Sequence, residues 1–144
     1  MSEQEIARYI TEIDRERARL RKLLRGKDAK MLNRRPPNGD WSIVENVRHL
    51  LWAEQRHLGR FLPEGFEWSR MGMTGFRGRE FADVGKKPTK DVEKVFEEWD
   101  EIHKQIRKAV KSADIDIEKA LWGNHRHLGF HITIIEKLLR KWDA

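Results

Sequence analysis

Four stretches of this chain repeat their apolar residues at the spacing of an α-helix, and no β-like alternation of useful length interrupts them. The first opens on a capping-box pair, Ser2 and Glu5. It carries Ile6, Tyr9, Ile10, Ile13, Leu20, Leu23 and Leu24, and Gly26 closes it. A loop follows from Lys27 to Asp40, punctuated by Pro36, Pro37, Asn38 and Gly39. A second box, Ser42 with Glu45, starts a helix bearing Ile43, Val44, Val47, Leu50, Leu51, Leu58 and Phe61, stopped by Pro63. The third begins at Thr89 or Asp91 and aligns Val92, Val95, Phe96, Trp99, Ile102, Ile106 and Val110. After a turn over Asp114 to Ile117, the fourth holds Leu128, Ile135, Leu138, Leu139 and Trp142. Its start lies either near Asp116 or at Asn124, after Gly123. Each helix has one apolar face to bury, so the expectation is an all-α four-helix bundle formed as a single domain over residues 1–144.

The long loop between helices two and three, Pro63 to Pro88, departs from that regular plan. It combines five glycines with Phe66, Trp68, Met71, Met73, Phe76 and Phe81. Structureless connections of that length are uncommon, so two readings stand: a plug at the bundle end, or a wall over a site with Trp68, Met71 and Phe76 touching substrate.

Bulk composition excludes several classes. With no cysteine in 144 residues, neither disulfides nor thiolate ligands are available, and any metal must be held by histidine, carboxylate, backbone or water. No apolar run reaches the ~18 residues that span a bilayer, and Met1 is followed by charged, helix-forming sequence. A cytoplasmic, non-membrane protein is therefore expected. The 30 basic and 24 acidic residues leave a net charge of +6. Because the signs interleave, as in Asp14-Arg15-Glu16-Arg17, they read as solvated helix faces rather than a nucleic-acid surface. The competing reading, a DNA-binding protein, would use Arg34, Arg35, Arg70, Arg77, Arg79, Lys86 and Lys87 in the two loops.

Histidines carry the chemical information. At 100° per residue, His131 falls at the apolar centre of helix four, His127 within roughly 60° of it, and His125 on the polar side. An i,i+4 pair on one face lets both rings reach one ion, and two inward imidazoles are costly without partners. Hydrogen-bonded core histidines fit the same pattern. For a third ligand the helical wheel favours Glu54, on helix two's apolar stripe, or His57 beside it, over His49, which points away. His103 lies inside helix three's stripe.

Two segments resemble the DinB-like superfamily, which includes YfiT-type metal-dependent enzymes and bacillithiol- and mycothiol-dependent transferases. One is Trp41-Ser42-Ile43-Val44-Glu45-Asn46-Val47-Arg48-His49-Leu50, similar to the family's W-S-x-x-E-x-x-x-H-L pattern, with Glu54 matching a frequent acid. The other is His127-Leu128-Gly129-Phe130-His131, followed by Leu138-Leu139-Arg140. The resemblance implies an up-down-down-up bundle and a metal site of His49, His127 and His131, in place of the wheel's choice on helix two. Three imidazoles suit zinc, nickel or iron. It further implies Glu54 as general base or partner to a ligand, a small-molecule substrate such as a low-molecular-weight thiol, and compatibility with a homodimer.

Within that resemblance the expected function is a divalent-metal-dependent enzyme, a thiol S-transferase or a hydrolase. The alternative is a non-catalytic, stress-associated or binding module whose metal is structural or vestigial. It draws on Ile132-Thr133-Ile134, which stand where many relatives carry Arg-Gly-Gln.

Overall fold

The structure, a computed structural model, describes residues 3–59, 90–110 and 117–143. Its elements are α1 (Glu3–Leu24), α2 (Ala29–Leu32), α3 (Ile43–Leu58), α4 (Val92–Val110) and α5 (Ile117–Asp143). No strand occurs among the described residues, and none of their helices is long and apolar enough to cross a membrane.

Local signals account for most helix ends. Gly26 follows α1 at φ +76°, a left-handed conformation that favours glycine. Ser42 caps α3 as its motif predicts: its hydroxyl accepts from Glu45 N, and Glu45 Oε1 accepts from Ser42 N. Asp91, rather than Thr89, caps α4, its carboxylate accepting the Glu93 amide. Two expectations change, and the open choice for the start of the last helix closes on the site near Asp116. The 27–40 loop contains α2, a single turn that buries Leu32 and is too short to show periodicity. The last helix runs without a break from Ile117 through Gly123, so Asn124 is no restart. The second long helix ends at Leu58 with Gly59 as its cap residue. Ser2, Phe61, Pro63 and Thr89 lie outside the described residues.

Cross-helix pairs fix the topology. α1 and α3 each pack against both α4 and α5. Arg21 meets Glu93 while Asp14 meets Arg107, so α1 and α4 are antiparallel. Arg48 with Glu98 and Glu54 with His103 make α3 and α4 parallel. His49 and His57 on α3 oppose His127 and Gly123 on α5, an antiparallel pairing. The bundle is therefore up-down-down-up over its four long helices. A parallel α3–α4 pair places the end of one and the start of the other at opposite bundle ends. The connection must then be long, since the 16 residues of α3 alone cover about 24 Å.

In this arrangement α3 is enclosed almost all round: only Glu45, Arg56 and His57 along it are not buried. The polar residues it carries inward, Asn46, Arg48, His49, Glu54 and Gln55, are what the rest of the molecule must satisfy.

Candidate metal centre

α5 presents His127 and His131 one turn apart, with rings stacked at 5.0 Å between centroids and 13° between planes. From the facing helix, His49 enters between them, its centroid 4.9 Å from His127 and 4.4 Å from His131. The Nε2 atoms of His49 and His127 face each other at 2.8 Å. One ligating atom from each of the three histidines lies within 4.8 Å of the others.

Aromatic packing holds the His49 ring. Trp52 stacks on it at 5.0 Å and Trp41 leans on it at 4.6 Å. The outer nitrogens of the other two rings meet polar groups: His131 Nδ1 lies 2.8 Å from Asn46 Oδ1, and His127 Nδ1 lies 3.4 Å from His57 Nε2. Burial disfavours protonation of all three ligand candidates. It drives the pKa of His49 down to about 3 with help from His131 and His127, and that of His131 down to about 4 with help from His127. His127 is lowered by burial too. At neutral pH the site is thus three uncharged imidazoles, the protonation state in which histidine binds metal.

The cluster lies in the wall of a cavity of about 890 Å³, whose other lining residues include Trp41, His57, Arg126, Phe130, Ile134 and Leu138. Glu54 and His103 are absent from that lining. Glu54 is fully buried and accepts from His103 Nδ1 at 2.9 and 3.0 Å. His103 Nε2 meets Asp14, which also takes Arg107 Nη1 at 2.8 Å. Glu54 therefore sits in an ionic bridge joining α1, α3 and α4, and so does His103. The structure places both in this bridge and outside the three-histidine cluster and the cavity lining. His57, the other alternative, lines the cavity but stands behind His127, outside the cluster. His125 lies on the outer face near Glu12, as its angular position predicts. Trp68, Met71 and Phe76 lie outside the described residues.

Asn46 and Gly123 escaped the sequence reading. A buried asparagine three residues before His49 is a polar residue inside a helix's hidden face, and that was the available signal for it. Gly123 could be read only as a helix interruption.

A model of the DinB superfamily matches residues 12–135. The chain belongs to the DinB superfamily. No curated protein and no solved structure gives a significant match. This DinB protein carries a cluster of His49, His127 and His131 that is compatible with a metal ion. The donor set fits a divalent cation on its own evidence. The Nε2 atoms of His49 and His127 converge at 2.8 Å, His131 offers a third ring nitrogen within 4.8 Å of theirs, and each neutral imidazole has one unprotonated nitrogen to give an ion.

Proposed function

We propose that this DinB protein is a divalent-metal-dependent enzyme of thiol S-transferase or hydrolase type, with zinc, nickel or iron held by His49, His127 and His131. The observation that carries the reading is the convergence of three neutral imidazoles in the wall of an open cavity. Histidine-only sites with free positions serve catalysis more often than structure, because structural zinc sites are closed by four protein ligands. Bound there, the ion would supply Lewis acidity, lowering the pKa of a water or a thiol at neutral pH.

The chain's own residues define what approaches. Trp41, Phe130, Ile134 and Leu138 give the cavity apolar walls, and Trp41 and Trp52 shield the back of His49. Arg126 lines the cavity as a cation, and Asp40 is a carboxylate on its exposed side. This favours a small substrate with an apolar body, and the thiol-dependent transferases of the superfamily favour thiol transfer over hydrolysis.

A second reading, a non-catalytic module with a structural ion, is supported by the residues after His131. Ile132 is buried, Thr133 turns its hydroxyl back to Gly129 O at 3.0 Å, and Ile134 adds an apolar wall. To separate the two, the apoprotein is loaded in turn with zinc, nickel and ferrous iron. It is then assayed for thiol displacement of chloride from a chloronitrobenzene and for nitrophenyl ester hydrolysis. Turnover that requires the ion and disappears in His131→Ala is expected. Stoichiometric ion binding with no turnover of either probe favours the structural reading.

A further inference from the structure

The cluster's second ring of contacts fixes which nitrogen of His131 can meet an ion. Asn46 is buried, and its amide is oriented by the backbone: Nδ2 donates to Ser42 O at 2.9 Å and to Trp41 O at 3.4 Å. Its Oδ1 must then be the atom 2.8 Å from His131 Nδ1, and an amide oxygen only accepts. The proton of neutral His131 therefore resides on Nδ1, and the lone pair on Nε2. His127 turns Nδ1 toward His57 Nε2 at 3.4 Å, a ring nitrogen that donates or accepts according to its own tautomer, and Nε2 toward His49.

His57 reaches this position through a gap in α5. A Cβ placed on Gly123 would come within 3.1 Å of both Cε1 and Nδ1 of the His57 ring. Glycine inside a helix is unfavourable by about 1 kcal/mol relative to alanine. At this position it gives the ring room to lie against the α5 backbone, one turn from His127.

We propose that Asn46 and His57 are positioning residues for the metal site. Asn46 imposes the Nδ1–H tautomer on His131 so that it offers Nε2 to the ion, His57 braces the Nδ1 side of the His127 ring, and Gly123 is the space that admits His57. The inference rests on the metal-site reading for its affinity arm and is independent of it for its tautomer arm. Groups that orient metal-ligating histidines typically change affinity by ~10–100-fold when removed.

The test uses the full chain. Long-range proton–nitrogen NMR of the zinc-free protein near neutral pH reads each ring's tautomer, and competition with a chromophoric chelator reads zinc affinity. Wild type is expected to show His131 protonated at Nδ1. Asn46→Leu should return His131 to the Nε2–H form and weaken zinc ~10–100-fold, while Asn46→Asp, which keeps an acceptor for His131 but gives up the donation to Ser42 O, should keep the proton on Nδ1. Gly123→Ala should melt no lower than wild type yet bind zinc more weakly, because the added methyl displaces His57. His57→Gln, which keeps an acceptor, should bind more tightly than His57→Ala. An Nε2–H His131 in the wild type overturns the proposal, and so does an Asn46→Leu protein, folded by circular dichroism, with unchanged tautomer. If wild type takes no zinc while the His131 tautomer is as stated, the metal reading fails and with it the positioning role, and Asn46 keeps only its hold on the tautomer.

Discussion

Their neighbours treat the buried histidines of this protein in opposite ways. His49 and His131 face other imidazoles, and burial with that neighbourhood lowers their pKa to about 3 and about 4. His103 is equally hidden, and burial alone would lower it too. The carboxylates of Asp14 and Glu54 outweigh burial and raise its pKa to about 9. The signs of the pH dependence follow. Unfolded histidine titrates near ~6.5, so between that value and about 4 the unfolded chain binds more protons than the folded one, and stability falls as pH falls. The loss is roughly 2 kcal/mol per histidine at about pH 5. For His103 the folded state holds the proton more tightly. Its contribution is fully present below ~6.5 and is lost as pH rises through about 9, roughly 3 kcal/mol in all. Urea unfolding of the metal-free protein across pH should therefore peak near ~6.5–7, and His103→Gln should flatten the alkaline limb while keeping the acid one. A flat profile from pH 7 down to about 5 would contradict neutral buried imidazoles.

The element that decides the site is α3, and it was the hardest to read. A helical wheel finds the inward direction by contrast with a polar face, but α3 is buried at every position except Glu45, Arg56 and His57. With no such contrast, the wheel placed Glu54 and His57 ahead of His49. The Trp41–Leu50 segment identified His49 through resemblance instead. α5 keeps an exposed face that includes Phe130 and Trp122, so His127 and His131 could be placed from periodicity alone. The same logic made α3's start legible, because a capping box is a local pattern independent of what surrounds it. Since Asn46 hangs from the first turn through Ser42 O, the cap supports the site as well as the helix. Ser42→Ala should destabilise the protein by about 1 kcal/mol in urea unfolding, within the ~0.5–2 kcal/mol range of such caps. An effect below about 0.5 kcal/mol would show that packing, not the cap, holds this turn.

Across the whole molecule, α3 divides two polar systems. On its α5 side lie the three imidazoles and their cavity. Toward α1 and α4 lies the Glu54–His103–Asp14–Arg107 bridge, continued at the surface by Arg17 and Arg21 with Asp100 at 2.6 and 2.7 Å. The bundle class was readable because four periodic stretches leave few other ways to bury four apolar faces. The direction of the helices was not readable from periodicity. It depends on which charged and polar pairs meet across helices, such as Asp14 with His103, and those pairs carry no pattern along the chain. The division of roles between the two systems was hidden for the same reason, since Glu54 looks equally suited to either. A metal titration followed by elemental analysis, on wild type beside His49→Ala, His131→Ala, His57→Ala and His103→Gln, tests that division directly. At saturating zinc or nickel, one ion per chain is expected in wild type, His57→Ala and His103→Gln, and none in His49→Ala or His131→Ala. A wild type that takes up no ion, or an ion lost with His103 and kept without His49, would contradict it.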